Sequence, residues 1–192
     1  MIGRLLRPVR AGFGSIAWYH SATDGAPETI TLTSDAFGDN AAIPRRYAGK
    51  GVGDNISPPL QWSDIPASAV ELVLIIEDPD VPLLRPIVHG LVTGIGPHAM
   101  GIPEGALGID SAAATSTAGG ATMRIGVGAF ERRGYAGPRP IPGHGPHRYV
   151  FQMFALDRPS GLGTDATRTS TLSAIDGHVL ARGKLTGTYE RG

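Results

Sequence analysis

Residues 71–77 read Glu-Leu-Val-Leu-Ile-Ile-Glu, an unbroken apolar run closed at each end by an acid. Too short for a helix and too apolar for an alternating half-exposed strand, it predicts a strand buried on both faces. Asp78-Pro79-Asp80-Val81-Pro82 follows at once, and two prolines stop the strand and stiffen a corner carrying two carboxylates.

Composition agrees with a turn-rich β architecture. The chain has 192 residues, including 28 glycines and 16 prolines, with a hydrophobic fraction of 41%. That much glycine and proline would break a helical bundle, and the apolar content is too high for disorder. The length suits one domain, with roughly 70% of the unfolded surface buried on folding. Seventeen basic and 17 acidic residues cancel, which argues against a sequence-independent nucleic-acid binder. The absence of cysteine removes disulfides, thiolate metal sites and a thiol nucleophile.

The first 27 residues read as an N-terminal arm, and residues 28–192 as the domain. Arg4, Arg7 and Arg10 are interrupted by Pro8, Gly12 and Gly14, so the pattern lacks the apolar stretch of a signal peptide and a cytoplasmic location is expected. The arm is expected to pack on its own domain or on a second subunit. In the alternative, it touches an anionic membrane at its periphery through Leu5, Leu6, Val9, Phe13 and Trp18.

Strands are expected at residues 28–33, 71–77, 87–95, 147–156 and 185–189, with one helix over 169–182 capped by Thr169 or Ser170. Residues 96–145 read as loop, and 111–120 as a featureless stretch. No nucleophile elbow, Walker loop or dinucleotide fingerprint is present. His144-Gly145-Pro146-His147 has the look of a metal site but lies on a glycine–proline loop without further ligands.

Three segments concentrate polar chemistry: Asp78 and Asp80 with Pro82, His89 on the next strand, and the loop from Gly137 through Pro138 and Pro140 to His147 and Tyr149. On an extended strand His147 and Tyr149 share a face while Arg148 points away. Two imidazoles, a phenol and glycine-exposed N–H groups can converge on a small anion, with a carboxylate orienting one ring. The plain alternative is a pair of core histidines beside an ordinary turn.

The chain resembles the phosphatidylethanolamine-binding protein family, in its bacterial Raf kinase inhibitor-like branch. The motifs are Asn55-Ile56-Ser57-Pro58-Pro59-Leu60-Gln61-Trp62, Asp78-Pro79-Asp80-Val81-Pro82, the His89 strand, Gly134-Tyr135-Ala136-Gly137-Pro138 and His147-Arg148-Tyr149. The resemblance implies a mainly β fold, an antiparallel Greek-key sandwich-like core with a few peripheral helices. It also implies an anion pocket built from Asp78, Asp80, Pro82, His89, Gly137, Pro138, Pro140, His147 and Tyr149. The expected ligands are phosphate, phosphoethanolamine, acetate or sulfate. No metal or organic cofactor is implied, the output is regulation of a kinase or protease partner, and a homodimer is expected. Rival functions are an acid–base hydrolase or lyase using the same groups, and a homodimeric scaffold with a vestigial pocket. The chain departs from the family pattern in its few aromatics around His89, in Ile141 between separated prolines, and in the added His144. A cis bond is expected at Val81-Pro82 or Arg85-Pro86.

Overall fold

The computed structural model describes residues 2–108, 115–118 and 121–192. Its strands are β1 (Thr31–Thr33), β2 (Ala41–Ala42), β3 (Leu60–Ser63), β4 (Glu71–Asp78), β5 (Ile87–Ile95), β6 (Gly101–Ile102), β7 (Thr115–Ala118), β8 (Ala121–Ile125), β9 (His147–Leu156) and β10 (Val179–Tyr189). Two short helices accompany them, α1 (Ile2–Leu6) and α2 (Arg168–Ile175). The strands form a seven-stranded sheet in the order β2-β10-β9-β4-β5-β8-β7 and a three-stranded sheet in the order β1-β3-β6. The fold is mainly β. The pairings are antiparallel except at one edge, where β2 runs parallel to β10.

β4 occupies the middle of the large sheet, and all its residues are buried. Leu72, Leu74 and Ile76 join the core shared with Leu32, Leu60 and Trp62 of the small sheet. Val73 and Ile75 enter a second core with Ile16, Trp18, Leu172 and Ile175. The small sheet thus covers one face, and the arm with α2 covers the other, which explains the missing alternation in residues 71–77. Each such side chain contributes about 1.5–3 kcal/mol through burial.

Strand ends carry this two-sidedness into polar chemistry. Glu77 lies on the second-core face, where it accepts from the Ala17 amide at 2.6 Å, Gln152 at 2.9 Å and Arg168 at 2.6 Å. Asp78, one residue on, turns to the opposite side. Trp62 is buried and donates its indole N–H to the Ala99 carbonyl at 2.6 Å.

Several expectations are corrected. The helix begins at Arg168, with Thr167 as its cap and Ser170 completing the capping box. It stops at Ile175, because Asp176 leaves helical geometry and Gly177 takes a φ of 75°. Residues 179–182, expected to be helical, extend β10, whose ladder reaches from Val179 opposite Leu156 to Tyr189 opposite His147. The first strand is shorter than expected, and the stretch 96–145 holds β6, β7 and β8. Of the featureless segment 111–120, residues 111–114 and 119–120 lie outside the described residues. No described peptide bond is cis; the acidic corner is closed instead by Asp78 Oδ1 accepting from the Asp80 amide at 2.8 Å and by Leu83 N–H bonding Val81 O at 2.8 Å.

The arm runs along its own chain. Trp18, placed at a lipid face in the membrane alternative, is buried, 6.5 Å from the Phe154 ring and beneath the Arg182 guanidinium at 4.2 Å.

Candidate anion pocket

A cavity of about 490 Å³ opens where β4, β5 and β9 meet the segment 129–141. Asp78, Pro82, His89, Gly137, Pro140, His147 and Tyr149 line it, joined by Lys50, Asn55, Phe130, Arg132, Arg139 and Ile141. Pro138 and Asp80, expected in the site, are off its wall. The Pro138 carbonyl accepts from the Gly49 amide at 2.9 Å. Asp80 is buried behind the pocket between Arg148, at 2.7 and 2.8 Å, and Arg10, at 2.8 Å. Burial works to raise the Asp80 pKa, but the hydrogen bonds from the Arg148 side chain and amide and from Arg10 outweigh it and hold it low.

Strand geometry places each group. On β9, His147 and Tyr149 line the cavity while Arg148 faces away, its guanidinium 4.5 Å from the centre of the Phe13 ring. On β5 the register slips between Gly90 opposite Ile76 and Val88 opposite Glu77. This bulge adds one residue, so Val88 and Leu91 both pack into the second core while His89 swings to the pocket side. Re-aiming a functional side chain is a common role for a bulge.

Asp78 is saturated. Its Oδ2 accepts from His147 Nδ1 at 2.7 Å, its Oδ1 from the Asp80 amide, and the Tyr149 phenol also bonds it. Burial and then the nearby carboxylate push the Tyr149 phenol well above its ordinary pKa. The expectation that Asp78 orients an imidazole matches this arrangement.

The expectation that His147 donates to a ligand does not. Its Nε2 lies 2.7 Å from Nδ1 of the buried His144, and His144 Nε2 bonds the Leu6 carbonyl at 2.8 Å. All four nitrogens of the two rings are therefore engaged inside the protein, and His144 is a member of the site that no spacing argument singled out as one.

His89 is different. It packs edge-on to Tyr149, ring centres 5.0 Å apart, and its Nδ1 donates to the Ala136 carbonyl at 2.5 Å. Its buried Nε2 has no partner among the described residues. Burial lowers the His89 pKa, with His147 adding to that; Asp78 and the Ala136 bond pull the other way without overcoming it. The ring is thus held neutral with a lone pair on Nε2, ready to take one proton and donate it to an oxygen atom in the cavity.

Lys50, Arg132 and Arg139 are exposed, and each lines the cavity. Apolar walls come from Val81, Leu83, Ile87, Phe130 and Ile141. Asn55, at φ 58°, accepts from the Gly137 amide at 2.8 Å and donates to the Tyr135 carbonyl at 3.2 Å, pinning the proline loop. The segment 55–57 also fits a glycosylation sequon, which masks that structural use.

No described helix is long and apolar enough to cross a membrane. Residues 33–190 match the family model described as phosphatidylethanolamine-binding protein; the arm residues that touch the site precede that match. A UPF0098 protein of Methanothermobacter thermautotrophicus is 37% identical over 164 residues, covering 85% of this chain and all of the relative. Its counterpart in Chlamydia trachomatis is 39% identical over 166 residues, covering 84% of this chain and 99% of that protein. The crystal structure of a phosphatidylethanolamine-binding protein homologue from Chlamydia trachomatis superposes with a TM-score of 0.72 at 34% identity, covering 86% of this chain and 99% of the other. YbcL of Escherichia coli shares the fold, with a TM-score of 0.76 at 23% identity over 85% of this chain and 99% of its own. With the match spanning both sheets and the pocket, the chain belongs to the phosphatidylethanolamine-binding protein family.

Proposed function

We propose that this chain binds one small oxyanion, a phosphate or the phosphate of a headgroup, with His89 Nε2 as its deepest contact. The observation that carries this reading is a buried ring nitrogen with no hydrogen-bond partner among the described residues, on a histidine that lines a cavity of about 490 Å³. An unsatisfied buried polar atom costs about 1–3 kcal/mol, which a ligand oxygen would recover. Lys50, Arg132 and Arg139 supply positive charge at the wall, and the apolar residues accommodate whatever the anion is attached to. The Asp78–His147–His144 chain holds the floor rigid beside it.

In this reading the residues 28–192 form the binding domain and residues 1–27 its arm. Occupancy of the pocket serves to regulate a protein partner in the cytoplasm rather than to turn over a substrate. Titration calorimetry of inorganic phosphate, phosphoethanolamine and acetate against the wild type and His89→Ala tests it. Saturable heat with one of the phosphates, lost in the variant, is expected; equal binding by both proteins would refute the role of His89.

A further inference from the structure

The arm reaches the pocket from behind. Ala11 N–H bonds Val81 O at 2.9 Å and Gly12 N–H bonds Pro79 O at 3.0 Å, on the acidic corner. Arg7 bonds Gly143 O at 3.1 Å and Arg10 bonds Pro146 O at 3.2 Å, on the loop before His147. Gly3 fits so closely that a Cβ there would lie 2.1 Å from the Pro142 carbonyl oxygen. The Leu6 carbonyl then meets His144 Nε2.

Counting hydrogens along this chain gives a definite charge. A carbonyl oxygen only accepts, so His144 Nε2 carries a hydrogen. One more lies between the two rings, and one more between His147 and Asp78. Three hydrogens on two imidazoles and one carboxyl sum to zero charge, whichever atom each occupies. Without the Leu6 carbonyl, two hydrogens satisfy the remaining two bonds, and the same three side chains sum to minus one. The other ionisable groups around them are His89, Tyr149, Lys50, Arg132 and Arg139 on the cavity side, and Asp80, Arg148, Arg7 and Arg10 behind.

We propose that the arm is part of the binding site: by seating the Leu6 carbonyl on His144 it keeps a proton in the Asp78–His147–His144 chain, and so makes the pocket accept an anion. His144 acts as a positioning residue, touching the arm and His147 but not the ligand. This rests on the oxyanion reading above. Coupling is reciprocal by linkage, so the anion must also hold the arm down.

The test uses inorganic phosphate and the full-length protein. Gly3→Val drives a side chain into the Pro142 carbonyl and lifts the first turn without touching the pocket. Calorimetry at pH 7.5 should show phosphate binding weakened about ten-fold, the order expected for one extra negative charge about 10 Å away at an effective dielectric of about 20. The ratio of wild-type to variant affinity should narrow as pH falls, because solvent then supplies the hydrogen that the carbonyl no longer secures. Phosphate should slow tryptic cleavage after Arg4, the bond Arg7-Pro8 being resistant, in the wild type by a similar factor. In a His144→Phe background, Gly3→Val should have no further effect on affinity.

Equal or tighter binding by Gly3→Val overturns the inference and leaves the oxyanion reading standing, provided His89→Ala still abolishes binding. A pH-independent ratio overturns it as well, since that is the signature of mere structural damage. Absence of wild-type binding to both inorganic phosphate and phosphoethanolamine overturns both.

Discussion

His147 Nδ1 and Asp78 Oδ2 lie 2.7 Å apart across 69 positions of sequence, both nearly inaccessible to solvent. The bond ties the end of β4 to the start of β9, and the same carboxyl also receives the Asp80 amide and the Tyr149 phenol. One side chain therefore closes the acidic corner, orients the imidazole and positions the phenol.

Replacing that carboxylate should cost stability before it costs anything else. Asp78→Asn keeps the size but offers one acceptor where the site uses two oxygens. A loss of about 2–4 kcal/mol is expected, seen calorimetrically as a drop in Tm of about 5–10 °C for a domain of this length. A drop under 1 °C would show that the three bonds are replaceable by water.

Anion affinity should rise in acid. His89 is held below its ordinary value of 6.5 in the empty pocket, and the bound anion favours the protonated ring. Sulfate, which does not titrate in this range, should bind more tightly as pH falls from 8 toward 6, by at most ten-fold per unit, and level off below the free pKa of His89. Calorimetry in two buffers of different ionisation enthalpy should report up to one proton taken up per sulfate. In the empty protein the sign reverses: the folded state resists the proton that the unfolded chain accepts, so His89 subtracts stability as pH drops below 6.5.

Asp80 should govern part of the acid limit. Its folded pKa lies below the ordinary 3.8, so its contribution is complete above that value and is lost as pH falls through the lower folded one. Asp80→Asn should therefore lower stability by about 2 kcal/mol at pH 7 and flatten the fall in stability as pH drops below about 4. Urea melts across that range check both halves; an unchanged acid slope would contradict the ion-pair role.

Backbone packing at the loop makes a separate prediction. A Cβ on Gly137 would lie 2.2 Å from the Tyr47 carbonyl oxygen and 2.7 Å from the Gly49 nitrogen, both main-chain atoms. Gly137→Ala should displace the proline wall, costing about 2 kcal/mol and the phosphate heat together. Gly38→Ala, where nothing lies within 4 Å, should change neither.

Much of this arrangement was legible in residue order. The apolar run at 71–77 announced a strand buried on both faces, and the bounds Ile87–Ile95 and His147–Leu156 followed from hydrophobic content and flanking turns. The same-face relation of His147 and Tyr149 follows from strand geometry alone. The misreadings have physical causes. Leu172, Ile175 and Val179 keep helical spacing across Gly177, yet Val179 reaches the same core from a strand. The bulge that turns His89 inward has no local signature, since it arises from pairing between β4 and β5. His144 looked like half of a metal site because spacing shows which rings are near in sequence, not that an arm carbonyl and a second imidazole already occupy their nitrogens. Asp80 looked like Asp78 two residues before it, and strand alternation would give both one face, but β4 ends at Asp78 and the chain turns there, so Asp80 meets two arginines instead.

The most direct test is nitrogen-detected NMR of the histidine rings during phosphate titration at pH 7. Saturation should move His89 Nε2 from a bare to a hydrogen-bearing nitrogen while both nitrogens of His147 keep their starting signals. A His89 ring that stays unchanged while His147 Nε2 responds would contradict the account.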